Sequence, residues 1–135
     1  MNQLTGILQS FESQGEIIRL EVLCQKETLY LLLLEEKENI TPLLQKSITL
    51  GFKENNVIVG FNLRGPRNCF CGHIKKIQSD KLFSHITLWC EDLGVIIAAL
   101  VFRDFANTLK IGDRLEWCVL ESEIMLLPQK QQLAR

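Results

Sequence analysis

The strongest constraint on this chain is that it writes one pattern twice. Asn2-Gln3-Leu4-Thr5-Gly6-Ile7-Leu8 aligns with Asn68-Cys69-Phe70-Cys71-Gly72-His73-Ile74, placing Asn on Asn and Gly on Gly. At the same offset Ile17 falls on Phe83, Leu20 on Ile86, Val22 on Leu88 and Cys24 on Cys90. Leu29 then falls on Val95, Leu31 on Ile97 and Leu34 on Leu100. A single-residue slip in the next loop puts Ile48 on Leu115, Leu50 on Trp117, Phe52 on Val119, Glu54 on Glu121 and Val57 on Ile124. Each copy must therefore be one folding unit or half of one.

The repeat divides the 135 residues into a first copy at 1–61, a joint at 62–66, a second copy at 67–127 and a polar tail at 128–135. Units of roughly 60 to 65 residues lie near the lower limit for independent folding and bury only about 60% of their unfolded surface. The copies are expected to pack on each other or on other chains. A hydrophobic content of 47% supplies a core and leaves apolar surface for an interface.

A net charge of −1 argues against a dedicated nucleic-acid binder, which needs a basic face. Lys75-Lys76 is the only adjacent basic pair. Five cysteines, an odd number without small-scaffold spacing, read as reduced thiols in a cytoplasmic protein, with Cys24 and Cys90 buried at equivalent repeat positions. The start, Met-Asn-Gln-Leu-Thr-Gly, has no secretory pattern. The apolar runs at Leu29 to Leu34 and Val95 to Phe102 are shorter than the roughly 18 to 20 residues of a membrane span.

The local pattern is that of strands. Leu4 to Phe11 runs into a turn at Gly15, and Ile17 to Leu23 alternates Ile18, Leu20 and Val22 with Arg19 and Glu21, giving a sheet with one wet face. After a hairpin at Gln25-Lys26-Glu27, Leu29 to Leu34 is apolar on both faces and is expected at an interface or between layers. Thr41-Pro42 predicts an N-cap and first helical position for a short helical turn. Strands at Ile48 to Phe52 and Val57 to Val59 close the copy. The second copy repeats the order, with its helical turn at Arg103 to Leu109 and its last strands at Leu115 to Val119 and Ile124 to Leu127. This predicts an all-β chain of two tandem, small, OB-like five-stranded β-barrels, each with a short helical turn.

The openings Asn2-x-Leu4-x-Gly6 and Gly65-Pro66-Arg67-Asn68-Cys69-Phe70-Cys71-Gly72, and the closing Phe52-Lys53-Glu54-Asn55-Asn56-Val57, resemble the Mop or TOBE repeat in its tandem, di-Mop form. The likeness spans both copies. It implies a non-catalytic, cytoplasmic binder of molybdate or tungstate that stores or buffers the oxyanion, assembled as a homo-oligomer, by family habit a homotrimer. In that family the anion is held between subunits by backbone N–H groups, hydroxyls and a few basic groups. Such convergent donors suit a tetrahedral dianion. Transferred by position, the oxyanion-binding residues are Lys53, Glu54, Asn55, Arg67, Asn68 and Ser122. Asn2, Asn68, Gly6 and Gly72 also carry a structural reading, the glycines because a strand is bent or closely approached there.

The match is incomplete. Gly65 stands where a serine is usual, Leu120 replaces the lysine of the second closing motif, and the Thr-x-x-Ser segment reads Phe102-Arg103-Asp104-Phe105. Those departures favour an alternative: a TOBE-type interaction or regulatory module that has lost its oxyanion and acts through a protein partner. Cys69, Cys71 and His73 alternate on one strand face, a soft-ligand pattern, but their counterparts Gln3, Thr5 and Ile7 include no soft ligand. Phosphate-loop and nucleophile-elbow signatures are lacking, so the chain does not read as an enzyme.

Overall fold

The computed structural model describes residues 1–65 and 68–128. Ten strands form two five-stranded antiparallel sheets. In the first half these are β1 (Asn2–Gln14), β2 (Ile17–Cys24), β3 (Glu27–Leu34), β4 (Ser47–Phe52) and β5 (Ile58–Gly60). The second half has β6 (Asn68–Ser79), β7 (Phe83–Cys90), β8 (Val95–Phe102), β9 (Arg114–Val119) and β10 (Met125–Leu126). Short helices α1 (Lys37–Ile40) and α2 (Arg103–Ala106) follow the third strand of each half. Among the described residues no helix is long and apolar enough to cross a membrane.

Alternation decides which face is core. Asn2, Leu4, Gly6 and Leu8 of β1 point inward, as do Ile18, Leu20, Val22 and Cys24 of β2. The long first strands curl because each carries a bulge, at Leu8/Ser10 in β1 and at Ile74/Lys76 in β6. Gly6 and Gly72 sit beneath a close crossing. A Cβ on Gly6 would lie 2.6 Å from the Cys24 sulfur and 2.7 Å from the Leu23 carbonyl oxygen, and one on Gly72 3.1 Å from the Trp89 carbonyl oxygen.

The closing strand of each half belongs to the other half's sheet. The sheet orders are β10-β4-β1-β2-β3 and β5-β9-β6-β7-β8. Val59 lies opposite Trp117 and Leu126 opposite Leu50, so the exchange is reciprocal. Buried side chains from both halves form one continuous core. Trp117, fully buried, stacks on Phe52 of the other half at 5.9 Å, contacts Phe70 at 5.1 Å and donates its indole N–H to the Cys90 sulfur at 3.0 Å. The expectation that the copies pack on each other is met by this shared core.

The ladders correct the sequence alignment of the third strands. The first hairpin joins Cys24 to Glu27 through two residues, whereas the second joins Cys90 to Val95 through Glu91, Asp92, Leu93 and Gly94. Structurally Leu29 therefore matches Ile97, Tyr30 matches Ala98 and Leu34 matches Phe102. The first half recovers the two residues at Glu35-Glu36, which precede α1, while α2 follows β8 directly. A slip of two preserves the in/out alternation, so hydrophobic patterning could not reveal it.

Three further expectations change. Thr41 is not an N-cap but the C-cap of α1, its N–H and its hydroxyl (2.9 Å) both donating back to the Lys37 carbonyl, and Pro42 lies within a 3₁₀ turn, Thr41–Leu43. Of the two places expected for the doubly apolar strands, between layers is excluded among the described residues, since Leu34 of β3 is 79% and Phe102 of β8 69% exposed. Cys69 and Cys118 form a disulfide rather than remaining thiols. They are opposite residues of the β6–β9 ladder with Cα atoms 4.2 Å apart, a proximity that the spacing of cysteines in sequence does not encode. Cys24, Cys71 and Cys90 are free, and burial pushes the Cys24 and Cys90 thiols up to about 11.

Candidate functional site at the paired closing turns

After β4 and after β9 the chain makes one 3₁₀ turn before its exchanged strand, at Glu54–Asn56 and Glu121–Glu123. Lys53 and Leu120 precede these turns in extended conformation. The turns meet: the Asn56 side-chain amide donates to the Glu123 carboxylate at 3.1 Å. Because Asn56 and Glu123 are equivalent positions of the repeat, an approximate two-fold relation passes between them. The first turn packs on β8 and the second on β3, so each lies against the opposite half.

Two buried asparagines hold these elements in register. The Asn2 side chain donates to the Ala98 carbonyl at 2.9 Å and accepts the Ala98 N–H at 2.7 Å. Asn68 does the same at Tyr30, donating to its carbonyl at 2.8 Å and accepting its N–H at 2.9 Å. Tyr30 and Ala98 occupy edge strands β3 and β8, whose outward backbone groups otherwise lack a ladder partner. A carboxamide carries one donor and one acceptor side by side and so replaces a missing strand. The structural reading of Asn2 and Asn68 is thereby seated in geometry.

The turns differ electrostatically. Glu121 is gripped by Arg19, with Nε and a terminal guanidinium nitrogen donating at 2.7 and 2.9 Å, and the guanidinium lies 4.1 Å over the Tyr30 ring. The hydrogen bonds from Glu121 raise the Arg19 pKa above its already high ordinary value. Glu54 instead pairs with the Met1 α-amine at 2.6 Å. That hydrogen bond, with a backbone N–H, holds its carboxyl below the usual range, and His85, which occupies Arg19's place in the repeat, adds a smaller effect.

Of the sequence-derived site residues, Lys53, Glu54 and Asn55 lie together at the first turn. Asn68 faces Val119 on β6, next to the start of the second turn, which carries Ser122. The two groups are joined through Asn56 and Glu123. Lys53, Asn55 and Ser122 are exposed, and their side chains make no hydrogen bond or ion pair among the described residues. Glu54 and Asn68 are engaged as above, and Arg67 lies outside the described residues. Sequence reasoning missed Arg19, Tyr30, Asn56 and Glu123. The recurring polar position shared by Arg19 and His85 was the available signal, but alternation alone assigns it to solvent.

The soft-ligand pattern is not assembled. Cys69 is bonded to Cys118, the Cys71 sulfur accepts from Arg114 at 2.7 Å, and His73 is exposed. Among the described residues no group of three or more His, Cys, Asp or Glu side chains could hold a metal ion. The free groups at the turns are an ammonium, an amide and a hydroxyl, donors suited to holding an anion.

No protein-family profile matches the chain, and no curated protein sequence does. Solved structures do. A crystal structure of the cytoplasmic molybdate-binding protein ModG, with molybdate bound, superposes with a TM-score of 0.81 over 94% of this chain and 96% of that one, at 18% identity. The chain has that protein's fold. The likeness runs nearly end to end in both proteins.

Proposed function

We propose that this chain is a tandem Mop/TOBE-type protein that binds molybdate or tungstate without chemistry and buffers or stores the oxyanion in the cytoplasm. The observation that carries the reading is the near-complete structural likeness to a protein crystallised with molybdate. The recurring opening and closing motifs support it independently. In this reading Lys53, Asn55 and Ser122 supply free donors, Arg67 supplies a second cation, and Asn68 and Glu54 set the positions of the turns. The uncovered apolar faces of β3 and β8 support a homo-oligomer, with a homotrimer the form the resemblance implies.

The test compares Lys53→Ala and Ser122→Ala with the parent chain by molybdate titration and by solution mass. The expected result is weaker molybdate binding, on the order of tenfold for Lys53→Ala, with an unchanged assembly. Unchanged affinity in both variants would remove the turns from the site.

A second reading has its own support. The first turn carries one carboxylate, Glu54, and the second two, Glu121 and Glu123, with Leu120 in the lysine position. An acidic turn disfavours an anion, which is what a TOBE-type interaction module acting through a protein partner would retain. Normal assembly with no molybdate binding would select it.

A further inference from the structure

We infer that the outer face of the second half carries a binding pocket for a small organic oxyanion, at a place where a stacked Tyr30–Arg19 pair divides the corresponding face of the first half. The β6–β7–β8 ladder sets Lys76, Thr87 and Ala98 in one cross-strand row and Gln78, His85 and Leu100 in the next. The equivalent rows of the first half are Ser10, Glu21 and Tyr30, then Glu12, Arg19 and Leu32. The backbone is the same and the filling is not. In the first half the Tyr30 ring and the Arg19 guanidinium stacked on it split this face into a gap of ≈ 20 Å³, about enough for one water, and a separate recess of ≈ 250 Å³ beside Glu12, Gln14 and Leu32. With Ala98 for Tyr30 and His85 for Arg19 the cavity opens to ≈ 370 Å³, inside the range of about 300–1,000 Å³ typical of small-molecule sites.

The exchange also removes a net negative charge: Glu12, Glu21 and Arg19 become Gln78, Thr87 and His85, while Ser10 becomes Lys76, which Asp80 balances in place of Gln14. Lys76, Gln78, His85 and Thr87 offer donors from one concave surface, and none of these side chains has a hydrogen bond or ion pair among the described residues. Unpartnered donors converging around a lysine select an oxyanion headgroup, a phosphate or a carboxylate. Asp80, at the rim, repels a bare anion and accepts from a hydroxyl on the same molecule. A hydroxylated phosphate or carboxylate metabolite fits both demands. The site uses none of the residues assigned to molybdate, although His85 lies within electrostatic reach of Glu54.

Backbone amide NMR of the full chain, titrated with glycerol 3-phosphate, malate and inorganic phosphate in separate arms, tests the assignment. Saturable shifts centred on Lys76, Gln78, Thr87 and Ala98 are expected with either or both of the first two probes, and the stronger arm names the headgroup. Ala98→Tyr, which restores the first half's filling, and Thr87→Glu, which restores its charge, should each weaken binding at least tenfold while leaving the distant amide spectrum unchanged. The assignment is overturned if neither organic probe shifts these amides, if shifts centre on Lys53, Asn55 and Ser122, or if Thr87→Glu binds as the parent does.

Discussion

The two halves share a backbone and differ in what they place on it. In the first, Arg19 bridges from Tyr30 to Glu121 across the outer face. In the second, His85 and Ala98 leave the corresponding face open. The buried devices, by contrast, are kept in duplicate: an asparagine clamped on the opposite edge strand, a glycine under a cysteine, and a closing strand lent to the other sheet. Duplication thus constrains what the two halves use to hold each other and leaves the outward rows free to diverge. One half carries a stacked, ion-paired row on its outer face and the other an unfilled one.

The sharpest way to break this comparison is at the clamps. Asn2→Ala and Asn68→Ala each strand one edge-strand N–H and one carbonyl, and an unsatisfied buried group costs about 1–3 kcal/mol. Each variant should lose about 2–4 kcal/mol in chemical denaturation, by nearly equal amounts; a loss confined to one would show that the clamps are not equivalent. The glycines should differ instead. A methyl on Gly6 meets a sulfur and a backbone oxygen well inside contact distance, whereas the nearest atoms to one on Gly72 are at 3.1 Å. Gly6→Ala should cost about 2–3 kcal/mol and Gly72→Ala about 1 kcal/mol, and the reverse order would contradict the packing.

The buried thiols give a pH test. Cys24 and Cys90 are held up to about 11 against an ordinary 9.0, so above pH 9 the unfolded chain releases protons that the folded chain keeps. Stability should therefore fall as pH rises from 9 to 11, each thiol contributing up to about 1 kcal/mol per pH unit. Cys24→Val and Cys90→Val should each flatten the slope of stability against pH, and an unchanged slope would mean the thiols ionise freely. The smallest effect belongs to the Arg19–Glu121 bridge. Glu121→Gln should cost only about 0.2–1 kcal/mol, because the Arg19 side chain remains 45% exposed. High salt should shrink that difference, and a loss several times larger would make the bridge part of the core.

Much of the architecture was legible in the residues. The alternation at Ile18, Leu20 and Val22 marked a one-sided strand, the doubled Asn-x-Leu/Phe-x-Gly marked the copies, and Gly15 marked its turn with φ 64°. The remainder was invisible for identifiable reasons. A two-residue slip between β3 and β8 leaves every apolar position on its face. The exchange of β5 and β10 is equally silent, because a three-residue strand such as Ile58–Gly60 reads the same whichever sheet it joins. At the site, the resemblance pointed to Lys53, Asn55 and Ser122, whose side chains are exposed. It could not show that the side chain of Asn68 is engaged by Tyr30, since that contact depends on the partner half. The Cys69–Cys118 pair likewise exists only through the β6–β9 register.

The central claim, that the paired turns belong to a molybdate binder, is tested most directly by calorimetric titration of the intact, ligand-free protein with molybdate, at constant ionic strength and with sulfate as competitor. The account predicts saturable binding at micromolar concentration or tighter that excess sulfate does not displace. Absence of heat together with an unshifted melting temperature, or full displacement by sulfate, would contradict it.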